Sequence, residues 1–283
     1  MKIAGTVILY YPDKNVIENI SSYLNAVDKL YIVDNTESPS KLIGDNLKSF
    51  SNVVYIHDAD NKGISVRLNQ ISNLAISEGF EWLLTMDQDS SFKKETLNNY
   101  FTCIQSFEEK ENVSMFGINH EENVNESNVC NPVKVNHLIT SGSILNLRLV
   151  NFIGGFDEKL FIDEVDFEYC LRSVAKGFDI VQFVNIFLNH NLGQTSQHLS
   201  FKTIKLTSRN LHSHIRMYYM TRNFLYVQSI YHEKFPGEIH QRKRILLNRF
   251  KNNILYNNER IKVMKNIIKG VLDFRKKRMG KIK

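Results

Sequence analysis

The chain has 283 residues, 42% of them hydrophobic and 23% charged, which is enough length for one large or two modest domains around a core. No apolar run approaches the roughly 18 residues needed to span a bilayer, so a transmembrane helix is excluded. The net charge of +6 is unevenly shared: from Arg242 onward 15 Lys and Arg stand against Glu259 and Asp273, a balance of +13, so the preceding residues carry −7. The first apolar run, Ile3 to Tyr11, meets Pro12-Asp13 at once and has no small-residue cleavage site. It reads as a first strand over Ile3–Tyr10 rather than a signal peptide. Val16–Val27 has the spacing of a helix. Lys29–Val33 predicts a second strand that ends in Asp34-Asn35-Thr36, and Val53–Ile56 a third that leads into Asp58 to Gly63. Ser65 to Glu78 places Leu68, Ile71 and Ala75 at helical spacing, and Gly79 closes it. Trp82–Met86 is a fourth strand, followed directly by Asp87-Gln88-Asp89. Short buried strands alternating with helices predict βαβ units and a mostly parallel sheet.

After Gly117 the pattern changes. Asn119 to Lys134 is rich in Asn, Glu and Ser and reads as an exposed excursion. Strands are expected near Leu138–Ser143 and Phe178–Phe183, flanking a Gly-Gly turn and an acid-rich helix start. From Gln241 the chain reads as a lysine-rich helical pattern with Ile261, Met264, Ile268 and Leu272 on one side. The cysteines, Cys103, Cys130 and Cys170, are odd in number and far apart. That excludes a zinc knuckle, argues against a disulfide framework and points to a reducing cytoplasm.

Each strand end in the first half carries polar residues: Thr6 with Tyr10-Tyr11, then Asp34-Asn35, Asp58 to Gly63, and Asp87-Gln88-Asp89. Any one of these is ordinary turn chemistry, and a lone Asp-x-Asp is a weak signal. Four in succession mark the carboxyl edge of a sheet, where open α/β folds bind ligands. Two carboxylates one residue apart can share a divalent cation, which can in turn grip a diphosphate. Further on, Asp163-Glu164-Val165-Asp166 sets three mutually repelling carboxylates in four residues, the composition of a general base. The bland reading of that cluster is a helix N-terminus, which favours acids through its dipole. His190 follows Ile186-Phe187-Leu188, and a satisfied structural histidine is an equal reading there. Arg216 and Arg222 lie six apart, about 120° round an ideal helix and so on different faces, which argues against both gripping one phosphate.

The ordered set Val33-Asp34-Asn35, Asn61-Lys62-Gly63 with Asn69 downstream, and Asp87-Gln88-Asp89 resembles the nucleotide-sugar half of family 2 glycosyltransferases with the GT-A fold. The likeness continues through Ser141-Gly142-Ser143, Gly154-Gly155-Phe156-Asp157-Glu158, Phe161 to Asp166 leading into Cys170-Leu171-Arg172, and His190 with Gly193. Arg216-Met217-Tyr218-Tyr219-Met220-Thr221-Arg222-Asn223 is similar to the Arg-x-Tyr-Tyr-x-x-Arg-Asn block of the bacterial rhamnosyltransferase branch. The resemblance implies an α/β, Rossmann-like GT-A fold, a mostly parallel mixed sheet flanked by helices, with a basic helical C-terminal extension. Its expected limits are a catalytic domain over 1–235, split into a nucleotide-sugar half (1–118) and an acceptor half (119–235), then a tail over 236–283.

The same resemblance implies the chemistry. Asp89 and Asp87 hold Mg2+ or Mn2+, with His190 near the metal or the diphosphate. Thr6, Tyr10, Tyr11, Asp34, Asn35, Asn61, Gly63, Asn69, Asp87, Gln88 and Arg222 line the nucleotide-sugar site. The base of an inverting transfer comes from Asp163, Glu164 or Asp166; Asp163 is favoured because the rhamnosyltransferase branch keeps Asp at that position. Many relatives carry Glu-Asp before Val-Asp, whereas here the order is Asp163-Glu164, so the three stay open. The donor implied is a nucleotide-diphosphate sugar, dTDP-rhamnose, with UDP-galactofuranose or a UDP-hexose as alternatives. The acceptor is a glycan or lipid-linked sugar of a bacterial surface polysaccharide. A catalytically inactive nucleotide- or partner-binding module is the rival reading; the intact Asp87, Asp89 and Asp163 argue against it. The basic tail suits the anionic inner face of the cell membrane around an otherwise cytoplasmic enzyme. The acidic body speaks against nucleic acid, and a homodimer is admitted.

Overall fold

The computed structural model describes residues 1–39, 50–93, 95–120, 129–190, 196–199, 206–209 and 211–282. They form two compact units, Met1–Asp157 with Val165–Asn191, and Glu158–Glu164 with Leu192–Lys283. The first unit is built on strands β1 (Ile3–Leu9), β2 (Lys29–Asp34), β3 (Val53–His57), β4 (Trp82–Asp87), β6 (Val113–Asn119), β7 (Pro132–Lys134), β8 (Ser143–Asn146) and β9 (Asp179–Phe187). They make one eight-stranded sheet in the order β3-β2-β1-β4-β8-β6-β9-β7. Strands β3, β2, β1 and β4 run parallel, and so do β6 and β9; β8 and β7 run against their neighbours. Because β1, β2 and β4 are buried apolar runs, they pack on both faces, as parallel strands must, while β3 at the sheet edge is half-buried. Helices α1 (Val16–Ser21), α2 (Ile64–Ser77), α3 (Thr96–Ser106), α4 (Leu147–Ile153) and α5 (Val165–Ala175) connect them. A two-residue strand β5 (Ser90–Ser91) pairs with β10 (Asn189–His190).

Three local expectations shift. The first helix stops at Ser21 rather than Val27, because Ser22 and Tyr23 donate three residues back, to Asn19 and Ile20, and the turn tightens. The strand expected over Leu138–Ser143 begins only at Ser143, since a turn closed by Ser143 N on Thr140 O occupies the preceding residues. The absence of a disulfide is corrected outright: Cys103 on α3 is bonded to Cys130, 27 residues on, and only Cys170 is a buried free thiol. An odd count hid a pair and a remainder.

The second unit carries a ribbon of β11 (Ser196–Leu199) with β12 (Leu206–Arg209) and the helices α6 (His214–Tyr231), α7 (Pro236–Tyr256) and α8 (Arg260–Arg275). Ser213 caps α6 by accepting from Arg216 N, and Pro236 opens α7, where its missing N–H costs nothing. Helix α6 is buried on every side from Met217 to Phe224, so it is the core of this unit. Helix α8 lies directly on it. A Cβ at Gly270 would stand 2.8 Å from the Tyr218 carbonyl oxygen, so only glycine admits this approach. The outer face of α8 leaves Ile261, Met264, Ile268 and Leu272 between 45% and 71% exposed. No helix among the described residues is long and apolar enough to cross a membrane.

Candidate active site

In the first unit, Leu9 is in register with Asp34, Asp34 with His57, and Ile8 with Asp87, so the four parallel strands end together. The polar residues after them share that edge. Asp34 is buried and accepts from Thr36 N, from Thr36 Oγ1 at 2.5 Å and from Tyr55 Oη at 2.5 Å. Asn35 Nδ2 donates to Asn61 Oδ1, while its Oδ1 accepts from Lys62 N and Arg67 Nε. Gly63, the residue before α2, donates its N–H to Asn61 Oδ1 at 3.1 Å. Tyr10 N donates to Gln88 Oε1, and the exposed Tyr10 and Tyr11 rings stand edge to face at 4.7 Å. Thr6 lies further back, buried at mid-strand between Tyr31 and Thr85, and its hydroxyl has no partner among the described residues.

Two residues turn out to brace this edge. Asn69 Nδ2 donates to Phe156 O at 2.9 Å and its Oδ1 accepts from Phe156 N at 2.7 Å, so both amide ends hold the turn at Gly155-Phe156. Gly155 has a left-handed φ of 64°, and a Cβ there would meet Asn69 Oδ1 at 2.7 Å. Arg67, which the sequence reading passed over, is fully buried on α2 and reaches Asn35, Gln70, the Asp60 carbonyl and both oxygens of Asp58. Its hydrogen bonds hold the Asp58 carboxyl well below the usual range. Removing one partner of a buried ion pair typically costs 3–5 kcal/mol. Asp58 is one-third exposed, so Arg67→Met is expected to lower unfolding stability by about 3 kcal/mol in urea titration. A loss under about 1 kcal/mol would show that this knot does not hold the strand ends.

Asp87 closes β4 and is exposed; Gln88 and Asp89 are half-buried. Asp87 N donates to Ser141 Oγ, which in turn donates to Ser90 Oγ at 2.8 Å, so the serine after β4 and the one before β8 fix the turn. The Gln88 carbonyl accepts from Asn19 Nδ2. The backbone of His190 pairs with Ser90, one residue past Asp89; the His190 side chain lies outside the described ones, as does Gly193. Among the described residues no three or more His, Cys, Asp or Glu side chains gather as a ready metal cage. Two neighbouring carboxylates on an open strand end nonetheless fit a cation that takes its remaining ligands from phosphate and water, as Mg2+ commonly does.

The second unit separates the roles of the acids. Asp163 and Glu164 both have left-handed backbone, with φ of 62° and 65°, which is costly for non-glycine residues and concentrates at functional sites. Asn223 Nδ2 on α6 donates to the carbonyls of Ile162 and Asp163 and secures this turn. Glu164 is buried and receives Arg242 Nε on both oxygens at 2.9 Å. Asp163 Oδ1 accepts from Arg216 Nε and Nη2 at 3.3 and 3.2 Å, whereas its buried Oδ2 has no hydrogen-bond partner among the described residues. The repulsion expected between the acids is thus met by two guanidiniums. In the first unit, Asp166 Oδ1 accepts from Phe167 N at the start of α5, the ordinary work of a helix N-terminus. Arg222 is buried in α6, donating to Asn223 Oδ1 and Tyr218 Oη.

His212, in the second unit, was not singled out by the sequence. Burial, with Arg216 and Arg249 adding to it and Asp163 opposing, brings its pKa from 6.5 down to about 4. The folded chain therefore releases this proton more readily than the unfolded one. The resulting stability is complete above about pH 6.5 and drains away as pH falls towards 4. His212→Gln should flatten the fall in thermal midpoint across that window, and parallel wild-type and variant curves would refute this origin.

No protein-family model matches the chain. It is 26% identical over 242 residues to the dTDP-rhamnosyl transferase RfbF of Shigella flexneri, covering 78% of each. Among solved structures it resembles Staphylococcus aureus TarS 1–349 in complex with UDP-GlcNAc, with a TM-score of 0.57 and 17% identity over 97% of this chain and 80% of that one. It also resembles GalNAc-T7 with UDP, GalNAc and Mn2+, at a TM-score of 0.54 and 10% identity over 67% of this chain and 44% of the other. In fold and in sequence, the chain is a glycosyltransferase of the GT-A fold, similar to the bacterial rhamnosyltransferases.

Proposed function

We propose that the chain moves rhamnose from dTDP-rhamnose, with inversion, onto a glycan or lipid-linked acceptor in the synthesis of a bacterial surface polysaccharide. The observation that carries the reading is the shared strand edge of Asp34, Asn35, Asn61 and Asp87-Gln88-Asp89, the place where such sheets take nucleotides. The identity to a dTDP-rhamnosyl transferase supports the donor. Asp34 and Asn35, immobilised by Tyr55 and Arg67, suit recognition of the nucleoside. Asp87 and Asp89 would hold Mg2+ or Mn2+, which neutralises charge building on the departing diphosphate. Asp163 takes the acceptor hydroxyl's proton: one oxygen is fixed by Arg216 and the other keeps its lone pairs. The exposed apolar stripe of α8, set among lysines, would lie on an anionic membrane face near a lipid-linked acceptor.

The test is a panel of dTDP-rhamnose, UDP-galactofuranose, UDP-glucose and UDP-GlcNAc, scored by donor hydrolysis and product formation with Mn2+, Mg2+ or EDTA. Turnover of dTDP-rhamnose alone, lost in EDTA, is the expected result. Preference for a uridine donor would overturn the rhamnose assignment. Binding without turnover of any donor would favour an inactive module.

A further inference from the structure

The second unit contains a cavity of about 560 Å3 that no step of the proposed transfer uses. It lies between α6, α8 and the segment after α8, and it is large enough for a small ligand. Five cationic side chains line it, Arg222, Lys269, Lys277, Arg278 and Lys281, against one carboxylate, Asp273. Asp273 is already engaged, accepting from Tyr218 Oη at 3.0 Å and facing Arg278 at 3.7 Å. Arg222 is only 1% exposed and is flanked by the Tyr218 and Tyr219 rings, each with its centroid 5.1 Å away. Its Nε and Nη1 have partners, but its Nη2 has none among the described residues. A buried guanidinium nitrogen left without an acceptor is costly, and the surplus of cations around it calls for an anion. The walls are fixed: Gly270 seats α8 against Tyr218, and Tyr219 Oη accepts from Ile282 N.

We propose that this cavity binds a phosphate or diphosphate group, with Arg222 Nη2 donating to it and Lys277 and Arg278 closing over it. Guanidinium and ammonium donors converging on one small space suit phosphate oxygens better than a single carboxylate. The exposed stripe Ile261, Met264, Ile268 and Leu272 stands on the same helix as Lys269 and Asp273, about 100° round from them. An amphiphile with a phosphorylated head and an apolar chain would satisfy both, so a lipid headgroup is the source we assign. The cavity does not depend on the donor chemistry, and only its lipid arm leans on the membrane contact proposed above.

The experiment is thermal unfolding and calorimetry of the full chain in EDTA, which silences any metal-bound diphosphate at Asp87 and Asp89. Inorganic pyrophosphate should raise the wild-type midpoint and bind with one-to-one stoichiometry. Lys277→Gln/Arg278→Gln should weaken that binding at least tenfold. Lys243→Gln/Lys251→Gln, which removes the same charge from α7 outside the cavity, should leave it unchanged. Vesicles of phosphatidylcholine with phosphatidic acid should displace pyrophosphate, whereas vesicles of equal charge made with phosphatidylglycerol, which lacks a terminal phosphate, should not. If pyrophosphate binds and neither vesicle displaces it, the lipid source is overturned. If both double variants lose binding equally, or wild type shows none, the site itself is overturned. Binding of dTDP-rhamnose with Mn2+ by the Lys277/Arg278 variant, measured alongside, keeps either failure distinct from failure of the transferase reading.

Discussion

Asp163→Asn is expected to slow sugar transfer by at least about 10²-fold, the scale on which a positioned acid–base group acts, with donor binding unchanged. Asparagine keeps an oxygen for Arg216 to grip, so the left-handed turn survives while the proton acceptor is lost. The neighbouring acids provide the contrast. Asp166→Asn retains an acceptor for Phe167 N and should be nearly silent. Glu164→Gln weakens the buried pair with Arg242 and should show first as lost stability. Single-turnover rates of the three variants, read beside their thermal midpoints, decide the matter. A fast Asp163→Asn enzyme with a dead Asp166→Asn one would move the base to Asp166.

The second large effect is expected at Asp89. Asp89→Asn should cut turnover by about 10²-fold or more, because an amide cannot offset the charge that the leaving diphosphate develops. It should also abolish the part of nucleotide affinity that responds to Mn2+, with the thermal midpoint unaltered, since Asp89 is half-buried on an open edge. Wild-type transfer that persists in EDTA would remove the metal from the reaction and Asp89 from this role.

Much of the frame is legible in the chain itself. The strands β1 to β4 announce themselves as short apolar runs, and the polar residues that end them fall on one edge because parallel strands must end together. What the residues do there is less legible, since their partners are distant. Asn69 reads as a ligand contact, yet both ends of its amide are taken by Phe156, 87 residues on. Arg67 sits among Ser65, Leu68 and Ile71 as an ordinary helical charge. Only the approach of Asp58 and Asn35 turns it into a buried brace. Nothing local marks Arg242 either, because the acid it holds lies 78 residues earlier. The basic stretch hides a similar distinction. Its charge is evident, but that Gly270 lets α8 rest on the Tyr218 backbone depends on packing.

The Cys103–Cys130 bond brings in the redox state of the surroundings. Tying a loop of 27 residues deprives the unfolded chain of freedom worth about 3.5 kcal/mol on the chain-entropy estimate. An oxidising compartment lets the folded protein keep that increment; a reducing cytoplasm, where such bonds stay open, withholds it. Unfolding with and without dithiothreitol measures the difference, and with it how far this enzyme's endurance is set by where the cell places it.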